Sequence, residues 1–100
     1  MFRVLNKQCD QLECHPTSLE SFEPVSGTGI LLVAAPESPH DYHAFLLDKP
    51  VCLYKKVWHS MLTLSDESIV KITENIEVST EFFKLPKVVY VEICDEENIK

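Results

Sequence analysis

Two short stretches carry side chains whose types and spacing suit metal binding or acid–base chemistry. In Glu13-Cys14-His15-Pro16, Glu13 and His15 stand two apart. A strand would present both on one face. Glu20 follows His15 after four intervening residues, and Gly27 follows Glu20 after six. Further on, Tyr54-Lys55-Lys56-Val57-Trp58-His59 sets a second histidine behind two lysines. Carboxylate and imidazole are both competent ligands for a divalent metal. The same groups take up or deliver protons near neutral pH. Lys55 lies four residues before His59, which is the same face of a regular strand. Its ammonium there would anchor a substrate carboxylate. Read singly, each histidine is an interior group hydrogen-bonded to a nearby carboxylate. The paired spacing adds to the case for a pocket.

These residues must be positioned by a small domain. The chain has 100 residues, 45% of them hydrophobic and 25% charged. That suits a single globular domain, residues 1–100, with a modest core. The acidic run at 95–100 reads as a frayed tail. The net charge of −7 disfavours nucleic acid, because phosphate binding needs a basic surface. It disfavours anionic membrane surfaces for the same reason. The longest apolar run, Ile30 to Ala35, is too short to span a bilayer. The N-terminal residues show no signal-peptide pattern, so a cytoplasmic location is expected. Of the four cysteines, no two form a Cys-x-x-Cys pair. Free, mostly buried thiols are expected.

Short apolar runs separated by turn signals predict strands. They lie at Phe2 to Leu5, Gln11 to Cys14, Ser21 to Val25, Ile30 to Ala35, Val51 to Tyr54, Val57 to Leu64, Ser68 to Ile72 and Lys87 to Ile93. Ile30 to Ala35 is continuously apolar, which predicts burial on both faces. Ser26-Gly27-Thr28-Gly29 reads as a turn. Asp41 to Leu47 reads as one short helix, with Asp41 as N-cap and Tyr42, Phe45 and Leu46 on one side. Phe82 and Phe83 read as anchors before a turn at Pro86. Trp58 reads as core. Many short strands at regular spacing imply an all-β sandwich or barrel with at most one short helix.

The order Glu13-x-His15, Glu20, Gly27 resembles the first motif of the cupins, in which two histidines, a glutamate and a glycine supply a metal site and a turn. Here Glu13 takes the first histidine's place. Counting back from His59 sets Lys56, Tyr54 and Asp48 at the glycine, proline and glycine positions of the second motif, with Thr63 at its asparagine. Within the cupins, Glu13-x-His15-Pro16, Phe22-x-Pro24, Leu31 to Pro36, Ala44-Phe45 and Tyr54-x-x-Val57-Trp58-His59 resemble the ureidoglycolate lyase family, from about Leu12 to Leu64. The family's arginine is Cys14 here, its glutamine is Glu20, and two of its histidines are Lys55 and Ser60. The Glu-x-His-Pro element begins at residue 13, so the extended segment that precedes it in the family is expected to be absent.

The resemblance implies a cupin-like jelly-roll barrel. It implies Glu13, His15, Glu20 and His59 as ligands of a possible divalent transition metal, with water or substrate in the remaining positions. The implied activity is cleavage of ureidoglycolate to glyoxylate and urea. His59 or Glu20 would be the base, His15 the acid and Lys55 the carboxylate anchor. The alternative is a non-catalytic cupin module that binds a small carboxylic acid or a sugar. The partner expected first is a small hydroxy acid or another carboxylate. Strand edges such as Lys87 to Ile93 make a homodimer the expected assembly.

Overall fold

The computed structural model describes residues 1–76 and 78–92. Nine strands are formed: β1 Phe2–Val4, β2 Gln8–Cys14, β3 Glu20–Ser26, β4 Gly29–Ala34, β5 His43–Leu47, β6 Val51–Leu53, β7 Trp58–Thr63, β8 Ser68–Glu74 and β9 Glu81–Tyr90. They make two antiparallel sheets, β1-β8-β3-β6 and β5-β4-β7-β2-β9, packed as a sandwich. No helix occurs among the described residues.

The pairings describe a jelly roll. β1·β8, β2·β7, β3·β6 and β4·β5 are successive rungs of one long hairpin whose tip lies between β4 and β5. Rolling that hairpin up creates the further pairings β4·β7, β3·β8 and β2·β9. Every connection but the β4–β5 tip passes from one sheet to the other. This is the all-β cupin-like jelly roll expected from the strand pattern.

Strand alternation builds two apolar layers. Val4, Phe22, Leu31, Leu47 and Val70 meet between the sheets. Leu12, Leu32, Ala34, Leu62 and Leu85 form a second cluster on the opposite face of the five-stranded sheet. β4 supplies alternate residues to each, so its apolar run is buried on both faces as expected. Leu85 reaches the second cluster because β9 is irregular. Its ladder with β2 is broken between Lys84 and Val89. The expected turn at Pro86 is therefore a break inside a longer strand, where a missing N–H is tolerated.

The expected helix over Asp41 to Leu47 is not formed. His43–Leu47 is instead an edge strand paired along Gly29 to Val33. Spacing alone allowed one helical turn. Five backbone pairings to β4 outweigh it, because an isolated turn fixes several dihedrals for one hydrogen bond. Gly27 has φ +76° in the β3–β4 turn, a backbone region that favours glycine.

Cys9 is half-buried, Cys14 buried and Cys52 exposed, all as free thiols. Exposure of Cys52 departs from the expectation of mostly buried thiols. Cys94, Ile93 and the acidic 95–100 run lie outside the described residues.

Candidate metal centre between the two sheets

Four strands, β2, β7, β3 and β8, converge at one end of the sandwich. Glu13 on β2 stands directly opposite His59 on β7. His15 follows β2 by one residue. From the other sheet, Glu20 on β3 stands opposite Glu74 on β8. Two imidazoles and three carboxylates thus meet across the gap between the sheets, on the wall of a cavity of about 960 Å³.

Glu20 is the centre of the group. Its Oε1 lies 3.0 Å from His15 Nε2 and 2.9 Å from His59 Nε2. Its side chain is only 7% exposed, and that of His59 only 4%. Glu13 Oε1 lies 3.5 Å from His59 Nε2 and 3.9 Å from His15 Nε2. Glu74 Oε2 lies 3.7 Å from His15 Nε2. The imidazole centroids are 5.2 Å apart, and Phe22 supports His59 edge-on at 5.6 Å.

The outer nitrogens fix the tautomers. His59 Nδ1 donates to the Val57 carbonyl at 3.2 Å, and His15 Nδ1 to that of Ser79 at 3.3 Å. Thr80 Oγ1 lies 3.2 Å from the same His15 nitrogen. A neutral imidazole that donates from Nδ1 offers a bare lone pair at Nε2. Both rings therefore aim Nε2 at one carboxylate oxygen. The separations are short, yet Glu20 Oε1 and His59 Nε2 make no hydrogen bond and touch no solvent. Buried polar atoms without partners are rare in folded proteins. A cation among them would satisfy all of them together. Backbone carbonyls that hold the outer nitrogen of a ligating histidine are the usual support of a metal site.

Electrostatics agree with this geometry. Burial alone would lower the His59 pKa, but the Glu13 and Glu20 carboxylates more than offset it and push it up to about 9. His59 in turn holds Glu13 below the usual carboxylate range, against the opposing effect of burial. Burial pushes the Glu74 carboxyl up, and the charge of Glu20 adds to this. Without an ion, a proton on His59 supplies part of the missing positive charge. The nearby thiols do not join in: burial pushes Cys9 and Cys14 up, which leaves them as thiols.

The structure brings together Glu13, His15, Glu20 and His59, the four ligands that the cupin resemblance implies. The donor atoms of Glu13, His15 and His59 lie within 4.8 Å of one another, as do those of His15, Glu20 and Glu74. The cluster could hold a metal ion. Lys55 is a correction. It lies in an exposed turn between β6 and β7 and does not line the cavity. Lys56, at φ +70°, ends the strand geometry on which the four-residue spacing to His59 depended. Thr63 is also remote, held by Ser68 Oγ at 2.5 Å in a separate buried polar network. Trp58 is half-buried and donates from Nε1 to the Pro36 carbonyl at 3.1 Å. Glu74 escaped the sequence reading. It belongs to no local motif, and only the cross-strand register with Glu20 places it.

Comparison with known proteins found no family model that matches the chain and no matching curated protein.

Proposed function

We propose that this chain is a small metal-dependent lyase of the cupin type, acting on ureidoglycolate or a similar α-hydroxy acid. Glu13, His15, Glu20 and His59 would hold a divalent ion. The observation that carries this reading is the convergence of two Nε2 atoms on the unpartnered, buried Glu20 oxygen. Two nitrogen and two carboxylate donors suit a borderline or hard first-row cation such as Mn²⁺, Fe²⁺ or Zn²⁺.

The charge of the cavity supports the same reading. Among the described residues no lysine lines it, and Arg3 is the one permanently cationic residue on its wall. Lys55 lies in its turn. Arg3, the only arginine, stands opposite Ile69 on β1, and its guanidinium is taken up by Glu67. Its Nε donates to Glu67 at 2.5 Å. When bound, the ion would supply the positive charge that an acid's carboxylate needs and would polarise the forming carbonyl oxygen.

Proton movement falls to the chain's own residues. In the cleavage of ureidoglycolate the hydroxyl proton must pass to a base. The C–N bond breaks as the carbonyl forms, and the departing urea nitrogen takes up a proton. Glu13 and Glu74 are the partly exposed carboxylates of the cluster, placed to receive and return that proton.

A second reading is a non-catalytic module for a small carboxylic acid or a sugar. The acidic wall favours it, since sugar hydroxyls donate readily to carboxylates. Urea release from ureidoglycolate, with and without added divalent metal, separates the two. The lyase reading expects metal-dependent turnover that His59→Ala abolishes. No turnover with any metal, in protein that binds the ion, would sink the lyase and leave the binding module.

A further inference from the structure

Glu74 is the one carboxylate of the cluster that lies outside the four-ligand set. It stands directly opposite Glu20 in the β3·β8 ladder. Like charges in a direct cross-strand pair repel, and here one of them is almost fully buried. Its Oε2 lies 3.7 Å from His15 Nε2. Among the three carboxylates Glu20 is held tightest, 2.9–3.0 Å from both imidazoles at 7% side-chain exposure. Glu74 approaches one imidazole only, and its side chain is 39% exposed on the cavity side. The unpartnered buried atoms Glu20 Oε1 and His59 Nε2 supply the independent sign that a cation belongs between them.

We infer that Glu74 is a fifth, exchangeable ligand of the ion, which the carboxylate of an incoming acid displaces. This rests on the reading of the cluster as a metal centre. Three carboxylates around a divalent ion leave the loaded centre anionic, which would repel an acid that simply added to it. Exchange of one carboxylate for another keeps the charge at the ion unchanged. The acid thus enters a cavity that no lysine lines among the described residues and whose one arginine, Arg3, is already paired with Glu67. Glu74 is the member that leaves because its contact is long, single and open to the cavity.

The test uses Mn²⁺ and glycolate. Wild type, Glu74→Gln and Glu20→Gln are titrated with Mn²⁺, free ion being read by electron paramagnetic resonance. Glycolate is then titrated into the loaded proteins. Glu74→Gln is close in size and partly exposed, and thermal melting confirms that it folds. We expect Glu74→Gln to weaken Mn²⁺ by about tenfold, the scale of a supporting carboxylate at a metal site. We expect the same change to tighten glycolate several-fold, because its competitor is gone. Glu20→Gln should lose Mn²⁺. Weaker glycolate binding in Glu74→Gln, or no change in either affinity, would overturn the inference while leaving the metal centre intact. Wild type that binds no Mn²⁺ would overturn the metal centre and the inference together.

Discussion

At the residue scale, the chemistry is concentrated in one buried oxygen. Glu20 Oε1 has two imidazole nitrogens within 3.0 Å and no hydrogen bond. Its replacement by Gln puts an amide where a ligand charge is required, and metal affinity should fall by at least tenfold in calorimetric titration. The pH dependence has a definite sign. The His59 pKa is raised to about 9 in the folded chain, above its ordinary value near 6.5. Its contribution to the stability of the metal-free protein is therefore fully present below about 6.5 and is lost as pH rises through 9. Metal must displace that proton, so affinity should rise with pH up to about 9 and then level off. Denaturant melts and metal titrations from pH 6 to 10 check both trends. A metal-free protein that grows more stable across that range would contradict them. Of these residues, Glu13, His15 and Glu20 were legible from spacing and residue type, and His59 joined them only through the cupin resemblance. Lys55 was misplaced because one left-handed residue, Lys56, interrupts the strand. Glu74 was invisible because a register, and not a sequence interval, sets it beside Glu20.

At the element scale, two turns carry more weight than their sequences suggest. The Lys7 ammonium donates to the carbonyls of Thr63 and Leu64 at 3.0 and 2.9 Å and also to that of Ser65. It thereby fixes the exit of β7. Lys7→Met should destabilise the fold by about 1–2 kcal/mol, since those carbonyls lose a charged donor. Gly27→Ala should cost about 1–2 kcal/mol for the left-handed backbone alone. Its Cβ would also strike the Glu67 carbonyl oxygen and Ser68. Urea denaturation measures each loss. Gly27 was legible as a turn glycine. Lys7 was not, because a solvated lysine and a carbonyl clamp look alike in sequence. β5 was misread for a related reason. Its exposed residues His43 to Leu46 show no alternation of burial, and only the pairing partner β4 makes them a strand.

At the scale of the whole molecule, the rolled hairpin brings Glu13 and His59 on one sheet against Glu20 and Glu74 on the other. A site between the sheets is thus stable only as long as both layers hold their packing. Leu32, on the strand that feeds both apolar clusters, is 1% exposed. Leu32→Ala should destabilise by about 2–5 kcal/mol, read as a lowered melting temperature. Strand alternation made the sandwich legible. The second apolar cluster was only half legible: the β4 run predicted two buried faces, but the broken β9 ladder that brings Leu85 over the outer face left no local signal. The most direct measurement of the central claim is Co²⁺ binding followed by visible absorption in wild type and His59→Ala. The account expects one ion per wild-type chain, with a spectrum that shows nitrogen and oxygen ligands, and loss of that spectrum in a folded His59→Ala protein. A wild-type chain that binds no Co²⁺, or a spectrum unchanged by His59→Ala, would contradict it.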